Sequence, residues 1–132
     1  MGFPEAVCFT AHEFDVMFQV MKEATNFDAA RLGAVGCDEA DMRAMLDLLR
    51  LVDRSSNCEA DVCFDFVAED PPEFLEDGPP IQLCLPHRFA SWWAPLAELI
   101  LSASSERELY LRTGFQFDEL HAVVARLPAC PT

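Results

Sequence analysis

The chain has 132 residues, of which 52% are hydrophobic, and its 23 acidic and nine basic residues give a formal net charge of −14. The hydrophobic content excludes intrinsic disorder, and the length predicts a single domain over residues 1–132. The negative charge argues against binding to nucleic acid or to an anionic membrane surface, and it favours a cationic partner.

The beginning of the chain predicts a short strand followed by a helix. Residues 6–10 (AVCFT) form a brief apolar run. Thr10 and Glu13 then give the T-x-x-E signature of a capping box, and apolar residues follow at helical spacing, so we expect a helix over residues 11–24.

A connector and a second helix are expected next. Residues 24–36 contain two glycines that interrupt regular structure. Asp38 is the expected N-cap of the helix that follows, because a carboxylate there accepts hydrogen bonds from free backbone N–H groups. The apolar stripe of this helix extends to Val52.

The middle of the chain predicts two strands joined by a proline-rich loop. Residues 60–69 alternate between apolar and polar side chains, which is typical of a half-buried strand. The segment 70–80 (DPPEFLEDGPP) contains four prolines and cannot continue that strand. Residues 81–86 (IQLCLP) predict a second strand, and we expect the two strands to pair as an antiparallel hairpin.

The remainder of the chain is expected to be helical. Pro95 suits the first turn of a helix better than its interior. Ser105 and Glu108 give a second capping-box signature, Gly114 is expected to end that helix, and a last helix follows over residues 115–127. Together the elements predict an α+β fold, a small antiparallel sheet of two or three strands packed against four or five helices.

The six cysteines are expected to be reduced. The first residues (MGFPEAVCF) do not match a secretory signal peptide, and Cys8, Cys63 and Cys84 lie in apolar runs, where a free cysteine behaves as a small hydrophobe. We therefore expect a cytoplasmic location. No zinc or nucleotide motif is present, so no metal and no cofactor are predicted, and the longest apolar stretch is too short to cross a bilayer.

The acidic residues are unevenly distributed along the chain. Residues 1–78 hold eighteen acids and five bases, whereas residues 79–132 hold five acids and four bases. No Lys or Arg lies between Arg54 and Arg88. We expect an acidic ridge beside the first strand of the hairpin, composed of Asp61, Asp65, Glu69, Asp70, Glu73, Glu76 and Asp77.

Two aromatic residues are candidate anchors for a partner that binds this acidic ridge. Phe74 stands among the acids of the proline-rich loop, and Trp92 adjoins Trp93 in a helix where the two rings point about 100° apart. Simpler interpretations exist for each feature. The ridge can be a solvated surface, Phe74 can fix the loop to the core, and both tryptophans can be buried.

The sequence favours a protein-binding inhibitor over an enzyme. Size, acidity and the lack of a recognisable catalytic motif suggest a bacterial immunity protein that blocks a toxin or effector enzyme with a basic active site. A phage-type inhibitor or nucleic-acid mimic would use the same physics. The alternatives of another class are a small enzyme that uses Cys or His chemistry and a structural adaptor, because a Cys-His-Asp set can be assembled but none is singled out.

Overall fold

The computed structural model describes residues 7–54, 60–68, 73–76 and 80–127, with the backbone alone for 67–68 and 73–76. Four strands lie in these ranges: β1 (Val7–Phe9), β2 (Val62–Ala68), β3 (Glu73–Glu76) and β4 (Ile81–Pro86). The helices described there are α1 (Ala11–Lys22), α2 (Ala29–Ala34), α3 (Glu39–Asp53), α4 (Phe89–Ala103), α5 (Glu106–Thr113) and α6 (Phe117–Val124). The predicted α+β fold with a small sheet packed on helices is confirmed.

The sheet is mixed, with the strand order β1-β2-β4-β3. β1 is antiparallel to β2, β4 is parallel to β2, and β3 is antiparallel to β4. The predicted antiparallel hairpin between β2 and β4 is therefore wrong. The proline-rich segment contributes its own strand, β3, at the sheet edge, and β4 then lies between β2 and β3. A central position suits β4 because four of its six residues are apolar and buried.

Two tryptophan rings fill the layer between the sheet and the helices. Trp93 is 0% exposed and meets Phe64 and Phe66 of β2 edge-to-face, with ring centroids 5.1 and 5.8 Å away. Trp92 is 1% exposed and packs on Phe89 at 4.9 Å. Trp92 therefore cannot serve as an anchor for a partner, and the interpretation that both tryptophans are buried is confirmed. α4 is enclosed by the sheet and by α1 and α6, so rings on different sides of it find apolar neighbours.

Helix ends follow the capping chemistry of the sequence. The capping box of α1 is complete: the Thr10 hydroxyl accepts from the Glu13 N–H at 3.1 Å, and the Glu13 carboxylate accepts from the Thr10 N–H at 2.9 Å. Ser105 caps α5, and Gly114 ends it with φ of 83°, a left-handed conformation that glycine adopts without steric cost. Asp38 stands at the N-cap of α3, but its side chain makes no capping hydrogen bond.

Two segments differ from the sequence prediction. The expected connector contains a 3-10 turn (Glu23–Asn26) and α2, which the Asp28 side chain caps. Pro95 lies inside α4 and not in its first turn. An interior proline removes one backbone hydrogen bond, and in α4 the extensive burial of both flanks offsets that cost.

One arginine joins three elements at the edge of the sheet. Arg126, just after α6, lies 2.5 Å from the Glu13 carboxylate of α1 and donates to the Cys8 carbonyl of β1 at 2.6 Å. Its guanidinium also sits 5.0 Å from the centre of the Phe9 ring. We call this group of Arg126, Glu13, Cys8 and Phe9 the Arg126 clamp. The hydrogen bond from Arg126, with a smaller one from the Thr10 backbone, holds the pKa of Glu13 below its ordinary value.

Trp93→Ala tests the packing of α4 on the sheet. Because the change removes both ring contacts with β2 and leaves a cavity, we expect the free energy of unfolding to fall by about 3–5 kcal/mol in urea denaturation. Trp93→Phe, which keeps a ring, should lose less. Leu111→Ala is the control, since Leu111 is 69% exposed and its truncation should change stability by about 0.5 kcal/mol at most. A loss for Trp93→Ala no larger than the control would contradict the packing described here.

Glu13→Gln tests the Arg126 clamp through its pH dependence. We expect the variant to be less stable than the wild type by about 1–2 kcal/mol at pH 7, because a charge-assisted hydrogen bond is lost. The folded pKa lies below the unfolded value of 4.5, so this contribution is complete above pH 4.5 and disappears as the pH falls through the folded pKa. Urea denaturation at pH 7 and pH 3 should show the gap closing. Glu98→Gln, at an exposed acid, should show no such pH-dependent gap.

Candidate protein-binding surface

The register of the strands separates a core face of the sheet from an outer face. The core face carries Val62, Phe64 and Phe66 of β2, which belong to the same hydrophobic cluster as the buried side chains of the helices. Cys63 and Cys84 are buried too, yet they stand outside that cluster. Because side chains alternate along a strand, Cys63 and Asp65 of β2 and Cys84 of β4 belong to the opposite, outer face of the sheet.

Acidic positions of β2 and β3 come together on this outer face because β4 separates them by a single strand. In one row Asp65 is paired with Cys84, and Cys84 with Glu73; in the next row Gln82 is paired with Cys63 and Glu76. Neighbouring strands are about 4.8 Å apart, so the backbones at Asp65 and Glu73 are roughly 10 Å apart. We call the face that carries these two rows and Cys8 the outer face.

The predicted site residues are distributed as follows. Asp61 is exposed and Asp65 is half-buried. Glu73 and Glu76 take outer-face positions by register. Glu69, Asp70 and Asp77 lie outside the described residues, and so does the side chain of Phe74. The backbone of Phe74 is paired with Leu83, a core-face position. Trp92 is fully buried and offers no surface to a partner.

Some helical acids have an arginine beside them, whereas others, such as Asp15, Asp53 and Glu98, have no ion pair among the described residues. Six helical or capping acids are ion-paired with arginine: Glu13, Glu23, Glu39, Asp41, Asp47 and Glu108. Within the described ranges, no ion pair reaches Asp61 or Asp65. The local field at this end of β2 is therefore negative and uncompensated.

A disulfide between Cys8 and Cys63 joins β1 to β2 on the outer face. The prediction that the cysteines are all reduced is therefore wrong for this pair. Its basis was the apolar context of each cysteine, which says nothing about pairing. The register places the two residues directly opposite each other, with Cα atoms 4.1 Å apart. The inference of a cytoplasmic location loses part of its support, because disulfides persist mainly in oxidising compartments.

The remaining cysteines and histidines do not form a catalytic arrangement in the described part of the chain. Cys37 is buried beside α3, where burial, followed by the charges of Asp41 and Asp38, raises the pKa of its thiol to about 12. His12 is hydrogen-bonded to Glu119 at 2.9 Å. Neither Cys37 nor the buried Cys84 has a histidine partner there, and no group of three or more metal-binding side chains is found among the described residues.

A cavity of about 340 Å³ lies between α1, α3 and the starts of β2 and β4. Its walls include Phe14, Val52 and Ile81, with Asp15 and Asp53 at the rim. It contains no nucleophile paired with a base, so it gives no support to the enzyme alternative.

Comparisons with protein-family models, with curated proteins and with solved structures find no match for this chain. Helices of the described ranges lack the length and apolar character needed to cross a bilayer. The functional argument therefore rests on the arrangement of this chain's own residues.

Sequence reasoning identified the acids but missed how the strands bring them together. The segment EFLE, between two pairs of prolines, is the signal that could have revealed β3, since its Phe and Leu stand between acids. The Arg126 clamp and the Cys8–Cys63 pair join residues more than 50 positions apart, and no local pattern indicates either contact.

Alkylation tests the environment of Cys37. The thiolate is the reactive form, and a pKa raised from 9.0 to about 12 lowers its population at pH 8 by about 1000-fold. We expect iodoacetamide to leave Cys37 unmodified in the folded protein and to label it in urea, as measured by peptide mass spectrometry. Labelling of folded Cys37 at a rate within about tenfold of a model peptide thiol would contradict this environment.

Proposed function

We propose that this protein is an acidic, stoichiometric inhibitor that binds a basic protein partner through the outer face. The favoured example is an immunity protein that neutralises a toxin or effector enzyme by occupying a cationic active site. The proposed contact is made by Asp61, which directly precedes β2, and Asp65 of β2, together with Glu73 and Glu76 at the register positions across β4.

The observation that carries the proposal is the register, which places Asp65 one strand away from the acidic positions Glu73 and Glu76, with no ion pair to Asp61 or Asp65 within the described ranges. A solvated charge contributes little to folding, and a group of unpaired like charges repels itself. The same charges accelerate encounter with a basic surface, since complementary potentials steer diffusing partners. The sheet supports them on a rigid backbone, which limits the entropy lost on binding.

The two aromatic residues that the sequence suggested as anchors, Trp92 and Phe74, are left out of the proposed contact. Trp92 is buried, and Phe74 takes a core-face position. Short-range affinity must then come from polar and apolar groups of the outer face, among which Gln82 is half-buried and available at its centre.

The proposal is tested by capturing a partner and then measuring its association rate. The tagged full chain is incubated with lysate of the native host at low salt, and captured proteins are eluted with salt. We expect a basic protein that binds with one-to-one stoichiometry and is inhibited on binding. Asp61→Asn with Asp65→Asn should lower its association rate by about tenfold at low ionic strength and leave folding unchanged.

A matched control separates local steering from net charge. Glu98→Gln with Glu106→Gln removes the same two charges from exposed helical positions, and it should leave the association rate nearly at the wild-type value. Equal rates for the outer-face variant and the wild type at low salt would refute the steering role. Equal slowing by both variants would attribute the effect to net charge alone.

The alternatives predict different results in the same experiment. A nucleic-acid mimic would capture a nucleic-acid-binding protein that is released when DNA is added. An adaptor would capture partners that salt does not release. An enzyme would capture no protein and would carry a small molecule in native mass spectrometry. The cytoplasmic location and bacterial origin stay predictions from the sequence.

A further inference from the structure

The Cys8–Cys63 disulfide joins a very short edge strand to the rest of the sheet. β1 has three residues, and its central one, Cys8, is bonded to the residue directly opposite in β2. The short Cα separation of 4.1 Å is typical of a non-hydrogen-bonded antiparallel pair, in which the backbone groups point away from the partner strand. The Cys8 carbonyl does point away, because it accepts from Arg126.

The two sulfur-bearing residues differ in their access to solvent. Cys8 is exposed, whereas Cys63 is only 6% exposed. A thiol reagent in solution therefore reaches the bond from the Cys8 side. This asymmetry matters because thiol–disulfide exchange requires direct attack on one of the two sulfur atoms.

We propose that Cys8 and Cys63 form a reversible redox pair that controls whether β1 stays attached to the sheet. In the oxidised form the sheet has four strands. In the reduced form β1 detaches locally, β2 becomes an edge strand, and the helical core keeps its packing. This proposal does not rest on the inhibitor function.

The reaction requires a low-molecular-weight thiol as reductant. Its thiolate attacks the Cys8 sulfur, the Cys8–Cys63 bond breaks, and Cys63 leaves as a thiolate that takes a proton. A second thiol molecule then attacks the reductant's sulfur in the mixed disulfide, which releases Cys8 as a thiol. Two electrons pass to the protein, and the two reductant molecules leave as their own disulfide.

The remaining contacts of β1 favour partial detachment over global unfolding. Phe9 is 1% exposed and meets Phe64 edge-to-face at 6.0 Å, so the end of β1 nearest α1 stays anchored. Arg126 is bound to Glu13 as well as to Cys8, and its link to α1 does not depend on β1. Val7 packs against the core but is only partly buried, so within the described residues this end of β1 is held less firmly than the end at Phe9.

Hydrogen–deuterium exchange on the full chain tests the proposal. Peptide mapping without reductant should first recover a Cys8–Cys63 linked peptide after air oxidation. Treatment with dithiothreitol should then speed amide exchange at Val7 and Phe64, the pair farther from α1, by at least about tenfold, with α4 unchanged. Removal of the reductant and reoxidation should restore protection.

Two variants identify the cysteines responsible. Cys8→Ser with Cys63→Ser should show the fast exchange of β1 with or without reductant, whereas Cys84→Ser should respond to reductant as the wild type does. Should the double variant fail to fold, the reversible reduction of the Cys84→Ser protein decides the matter. The proposal is overturned by unchanged exchange in β1 on reduction, by equal acceleration in α4, or by failure to recover the linked peptide.

Discussion

The placement of β4 between β2 and β3 is the constraint on which the rest of the structure depends. Because β4 runs parallel to β2, the chain must return to the starting end of the sheet between these two strands. The antiparallel edge strand β3 runs in that return direction. The apolar side chains of β2 and β4 then share one face, where Trp93 packs on Phe64 and Phe66. By register, the acidic positions of β2 and β3 belong to the other face, on both sides of β4.

Local signals in the sequence predicted the helices well, and long-range signals were missing for the sheet. Thr10 and Glu13 determine the start of α1 through contacts three residues apart, so the pattern contains all the information needed. Strand order has no such local cause. The alternation over residues 60–69 and the apolar run 81–86 predicted two strands, but neither pattern specifies whether the strands pair antiparallel or parallel. The nearly continuous apolar run IQLCLP was the clue that β4 is central, and the structure buries it on both faces.

The candidate surface was predictable in composition and not in geometry. The lack of basic residues between Arg54 and Arg88 already indicated that Asp61 and Asp65 have no local cation. The sequence could not exclude a distant arginine, but no ion pair reaches either acid within the described ranges, where arginines such as Arg88, Arg112 and Arg126 are paired with other acids. Trp92 was misjudged because adjacent helical positions diverge, and only the tertiary structure shows that α4 is surrounded on both sides. The disulfide depends on register and could not be read from spacing.

The distribution of ion pairs bears on why the negative charge persists. Exposed pairs such as Arg43 with Glu39 contribute at most about 1 kcal/mol each, so they do little for stability. Two more arginines near β2 would relieve the repulsion at Asp61 and Asp65 at no cost to the core, because Asp61 is exposed and Asp65 is only half-buried. Unpaired acids of this kind bring no gain in stability, which is why we propose an external cation for them. The basic surface of the proposed partner would meet acidic positions that the register places in rows on the sheet.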